Sequence, residues 1–177
     1  MKKIFWLSLW CILLALPAYA EDEKITPQTY ICAELVASSV DGQPPIYEAL
    51  QLDGYNAAQT GQKVADAMSL GPILLEVFDS CTAMPAEKAL QHWKMARQHH
   101  PADETVPWRP DKTTCADYAK NPDDGSGFII WLDAYNRAKT GKDDSVLKDQ
   151  QTLDAFLDKC NASPKRLIID VLNENAK

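Results

Sequence analysis

The sequence predicts an all-α protein made of two tandem copies of one small helical unit, each closed by a single intradomain disulfide. Three observations carry this reading. A set of residue blocks recurs in order, apolar residues recur at helical spacing, and the cysteines are distributed two to a copy.

The repeat is the strongest of the three. Asp53-Gly-Tyr55-Asn56-Ala-Ala58-Gln-Thr60-Gly61 returns as Asp133-Ala-Tyr135-Asn136-Arg-Ala138-Lys-Thr140-Gly141. Upstream, Cys32-Ala33-Glu34 matches Cys115-Ala116-Asp117; downstream, Asp79-Ser-Cys81-Thr-Ala83-Met-Pro85 matches Asp158-Lys-Cys160-Asn-Ala162-Ser-Pro164. Length differences fall in loops, chiefly residues 38–45 against 121–127.

Residues 1–20 read as an export signal. Lys2 and Lys3 precede an apolar run over 4–16, and Ala18-Tyr19-Ala20 supplies the small residues that place cleavage after Ala20. Lipid attachment through Cys11 is the rival, but Leu9 and Trp10 are not the small residues such cleavage wants. Cleavage takes Lys2 and Lys3 from the 18 basic side chains and leaves 16 against 25 acidic ones, a balance of −9. Such a surface excludes nucleic acid as a partner, and no later segment is long and apolar enough for membrane insertion.

Cys32, Cys81, Cys115 and Cys160 remain after cleavage. Four thiols in an oxidising compartment suggest two disulfides, and three pairings are open. The economical pairing lies within copies, Cys32–Cys81 and Cys115–Cys160. Each bridge closes a loop of about 45–50 residues, a constraint of roughly 4 kcal/mol on the unfolded chain. Metal binding is set aside, because there is no Cys-x-x-Cys and no His placed to complete a zinc set.

Taken in order, each copy reads as four short helices. The first spans residues 30–37 and, in copy two, 114–119. The second carries the stripe Phe128, Trp131, Leu132 and Tyr135 and stops at Gly141, with Gly61 playing the same part in the first copy. The third carries Leu74, Val77, Phe78 and Cys81, or Leu153, Phe156, Leu157 and Cys160. Pro85 and Pro164 then fit the first turn of a fourth helix, with Ser163 as an N-cap, carrying Leu90 and Trp93 or Ile168, Ile169 and Leu172. The copies occupy residues 21–97 and 113–177. A Pro-rich connector over 98–112 should be extended, with Trp108 placed to dock on one unit.

No catalytic constellation emerges: there is no nucleophile–base pair and no phosphate-cradling glycine loop, and no cofactor is implied. His92 and His99 would lie roughly 10 Å apart along a helix, too far to share an ion, and the three histidines read as solvated. Asp53 and Asp133 read as the polar edge of a helix whose tyrosine packs inward. Asn161-Ala-Ser163 matches a glycosylation triplet, a common pattern.

The run from Thr114-Cys115-Ala-Asp-Tyr118 through Trp131-Leu-Asp-Ala-Tyr135 and Thr140-Gly141 to Cys160-Asn-Ala-Ser-Pro164 resembles the HdeA/HdeB family of periplasmic acid-stress chaperones. The resemblance covers residues 29–97 and 113–174 and is closer in the second copy. It implies units of four or five short helices with one bridge, and a periplasmic protein without catalysis. Such proteins are folded near neutral pH, loosen in acid, expose apolar surface and hold acid-denatured periplasmic proteins in solution. The expected client-binding or interdomain surface is Leu50, Leu52, Tyr55, Phe128, Trp131, Leu132 and Tyr135. Two departures matter: familiar members carry one unit and form homo-oligomers, whereas tandem units make an internal pseudo-dimer conceivable. Gln51 also stands where copy two has Trp131. The alternative is a constitutive periplasmic module that binds or inhibits a specific protein. Full titration would swing the mature chain from −9 to about +19.

Overall fold

The computed structural model describes residues 24–39 and 43–175; the signal-segment expectation over residues 1–20 lies outside them. Eight α-helices and one short 3-10 turn are present among the described residues. They are α1 (Cys32–Ala37), α2 (Ile46–Thr60), the 3-10 turn (Ala67–Ser69), α3 (Leu70–Ala83), α4 (Ala89–His99), α5 (Cys115–Lys120), α6 (Pro122–Thr140), α7 (Gln150–Ala162) and α8 (Ile168–Asn175). No helix there is long and apolar enough to cross a membrane.

Local chemistry sets the helix ends. Gly61 (φ 83°) and Gly141 (φ 67°) take the left-handed conformation that closes α2 and α6, which glycine adopts without a Cβ penalty. Thr114 and Asp117 form a reciprocal cap on α5, and Asp149 caps α7 through the Thr152 amide at 2.8 Å. Pro122 opens α6, followed by Asp123 and Asp124, which suit the positive end of the helix.

The cysteines pair as Cys32–Cys81 and Cys115–Cys160, with Cα separations of 4.7 and 5.2 Å. Around each bridge the same backbone clasp recurs. Cys32 N donates to Glu87 O at 2.8 Å and Ala89 N to Tyr30 O at 3.0 Å; Cys115 N donates to Arg166 O and Ile168 N to Thr113 O, both at 3.0 Å. The start of the first helix of each half is thereby sewn to the start of its last.

Three expectations need correction. Pro85 and Pro164 do not open the fourth helices, which start at Ala89 and Ile168. They sit in preceding turns, where their carbonyls accept from Ala33 N and Ala116 N at 2.9 Å, and Ser163 ends α7 instead of starting α8. The connector is not freely extended, because α4 runs to His99 and the Trp108 carbonyl accepts from Ala65 N at 2.9 Å. His92 is 2% exposed rather than solvated, with Nε2 3.0 Å from Glu87 Oε2.

The most extensive helix contact is α2 against α6, and apolar residues of both halves form one continuous core. At the crossing, a Cβ on Gly54 would lie 2.1 Å from the Trp131 carbonyl oxygen. Only a residue without a side chain lets the helices approach this closely.

Candidate functional site

The seven apolar residues singled out from sequence are all buried, between 0 and 8% exposed. The structure brings Leu50, Phe128 and Trp131 together at the α2–α6 contact. Leu50 packs toward Gly127, where a Cβ would meet both its methyls at 3.5 Å. Phe128, Trp131 and Tyr135 stack along α6 with centroids 6.2 and 5.1 Å apart. The connector extends this ladder: Trp108 stacks on Phe128 at 5.4 Å and donates from Nε1 to Asp124 Oδ2 at 3.0 Å. Tyr55 meets Gln28 of the N-terminal segment through its hydroxyl. Leu52 and Leu132 are wholly buried, but Leu52 lies about 200° round the helix from Leu50, away from the α6 contact.

Asp53 is the centre that sequence reasoning missed. The sequence pattern puts it at a polar helix edge, yet it is fully buried, and its two oxygens accept four hydrogen bonds. Oδ1 accepts from Trp93 Nε1 (3.0 Å) and Arg97 Nε (2.9 Å); Oδ2 accepts from Arg97 Nη2 (2.8 Å) and Trp131 Nε1 (2.8 Å). One carboxylate thus joins α2, α4 and α6. The Arg97 fork satisfies its charge, and the two indoles complete its remaining acceptor capacity. The available signal was the recurrence of Asp53 as Asp133, together with Trp93 and Arg97 at helical i, i+4 spacing.

Asp133 is also buried, but its surroundings differ. It accepts from Val146 N at 3.1 Å and from the Ser145 hydroxyl. Burial nevertheless pushes its carboxyl above the ordinary carboxylate range, against the opposing pull of these bonds and of Arg137 and Lys24. Nearby, Arg137 Nη2 donates to Ile25 O at 3.0 Å, tying the N-terminal segment of the first half to α6 of the second.

His99 Nδ1 and His100 Nε2 lie 2.8 and 3.2 Å from the two oxygens of Glu76 on α3. Among the described residues, no group of three or more His, Cys, Asp or Glu is placed to hold a metal ion. A cavity of about 20 Å³ beside Asp53, Trp108 and Trp131 has room for about one water and no larger ligand. The chain matches no family model, no curated protein and no solved structure.

Proposed function

We propose that the chain is a periplasmic, acid-activated, ATP-independent holdase that binds acid-denatured proteins and prevents their aggregation. In this reading it acts without catalysis or cofactor, is exported with cleavage after Ala20, and consists of two tandem domains forming an internal pseudo-dimer. One observation carries the reading. The aromatic ladder and Leu50 are buried where α2 meets α6, while both disulfides lie within halves and neither spans that contact. Separation of α2 from α6 would therefore expose a continuous apolar surface on units that remain cross-linked. The resemblance to the HdeA/HdeB family points the same way, and so does the acidic composition. Acid turns a chain of net −9 after cleavage into a strongly cationic one, whose self-repulsion favours opening and keeps a client complex soluble.

The test is light scattering of an acid-labile client held at several values between pH ~2 and ~5, then neutralised, with and without the protein. Suppressed scattering confined to acid supports the reading. Equal scattering at every pH, together with unchanged near-ultraviolet circular dichroism in acid, overturns it.

A further inference from the structure

At the open end of the α2–α6 contact, apolar side chains already face solvent in the folded chain. Between the first turns of α2 and α6 runs an open groove of about 360 Å³. Its apolar lining is Ile46, Tyr47, Leu50, Ala67, Leu70 and Ile130. Ile46 is 46% exposed and Tyr47 58%, two large apolar side chains adjacent on one wall of the groove. The groove owes its room to divergence between the repeats: in register with Ile46 and Tyr47 of copy one stand Ser126 and Gly127 of copy two. One wall is therefore bulky and apolar, and the other is small.

The edge of the groove carries one sign of charge. Asp123 and Asp124 stand there on the first turn of α6, both exposed. Asp124 accepts the Trp108 indole with one oxygen, and no ion pair among the described residues neutralises either carboxylate. An apolar trough with an acidic edge that no basic side chain pairs is complementary to a segment that is apolar at one end and basic at the next.

We propose that this groove binds, at neutral pH, an exposed protein segment of two or three large apolar side chains followed by Lys or Arg. The apolar side chains lie over Ile46, Ala67 and Ile130 against Tyr47, and the cation meets Asp123. This engagement uses the folded chain and does not depend on acid opening, so it stands or falls separately from the holdase reading.

The experiment is fluorescence anisotropy at neutral pH with a fluorescein-labelled peptide of three leucines followed by two lysines, and a twin ending in two glutamates. The full chain should bind the lysine peptide in preference, and added salt should weaken that preference. Removing both bulky walls, Ile46→Ser with Tyr47→Ser, should weaken binding of either peptide by about tenfold or more. Asp123→Lys should weaken the lysine peptide about threefold to fivefold and strengthen the glutamate peptide by a similar factor, an exchange that general misfolding could not produce. Circular dichroism melts confirm that each variant is folded. The proposal is overturned if the wild-type chain binds neither peptide, or if Asp123→Lys moves both peptides in the same direction. It is equally overturned if sedimentation shows a self-associated chain that Ile46→Ser with Tyr47→Ser converts to monomer, because the groove then belongs to a second copy.

Discussion

Asp53 and Arg97 cannot be separated cheaply. Both are buried, joined by a two-point contact of 2.9 and 2.8 Å. Asp53→Ala leaves a guanidinium in the core with no carboxylate and orphans the Trp93 and Trp131 indoles; it should cost about 3–5 kcal/mol, read from urea unfolding at neutral pH. A loss under about 1 kcal/mol would show that the network contributes little. Asp133 gives a different signature, because burial holds its carboxyl above the usual range. A raised pKa means that the folded chain binds the proton before the unfolded chain does. That contribution is fully present below the unfolded value and is lost as pH rises through the folded one. Asp133→Asn should therefore remove a small gain in stability on mild acidification, visible as a flatter dependence of the urea midpoint on pH. The exposed caps run the other way: Thr114 hydrogen bonds hold Asp117 low, and the Thr152 amide holds Asp149 low. Their stabilisation is present above the unfolded carboxylate pKa and disappears as pH falls through the lowered one, so Asp149→Ala and wild type should converge in acid.

The α2–α6 pair stands on a close approach, and Gly54 is its narrowest point. Gly54→Ala would place a methyl 2.1 Å from the Trp131 carbonyl oxygen, and backbone cannot swing aside as a side chain can. The helices must part, at a cost of about 1–3 kcal/mol. The same substitution should shift client protection to a higher pH if separation of these helices is the activating step; unchanged onset with a confirmed loss of stability would place activation elsewhere. The elements themselves were largely legible in sequence. Stripes of period 3.6 and glycine stops are local patterns, and local geometry realises them; the bridges, 49 and 45 residues apart, are legible only because the repeat gives each copy two cysteines. What escaped was non-local. Pro85 looks like a helix opener until its carbonyl is seen accepting from Ala33, and His92 looks solvated until α4 is packed. Asp53 meets partners 40, 44 and 78 residues away, which no local pattern encodes. The copies also diverged where it matters: the indole that Gln51 lacks is supplied to Asp53 by Trp131 of the other half.

For the whole molecule, acid and the disulfides act on different contacts. The connector is clasped by carboxylates: Asp111 reaches Arg109 at 3.3 Å and Lys63 at 3.5 Å, and Glu104 reaches Arg109 at 2.9 Å. Arg109 and Lys63 hold Asp111 below the ordinary carboxylate range against burial, and Thr105 hydrogen bonds hold Asp103 there. Both contributions vanish as pH falls through those lowered values, while uncompensated positive charge grows across the chain. The clasp beside Trp108 thus weakens in the range where self-repulsion rises. The bridges are indifferent to pH and keep α1 with α3 and α5 with α7. A titration of the wild-type chain below pH ~4 should show apolar-dye binding and loss of the near-ultraviolet signal while much far-ultraviolet helicity persists. Added salt should move that transition to lower pH by screening the repulsion. Replacing all four bridge cysteines by serine should leave the dye-binding onset governed by the same carboxylates. It should abolish the residual helicity, since each bridge constrains the opened chain by up to roughly 4 kcal/mol. Retained helicity in acid without the bridges would mean that packing within each half, rather than the cross-links, holds the opened units together.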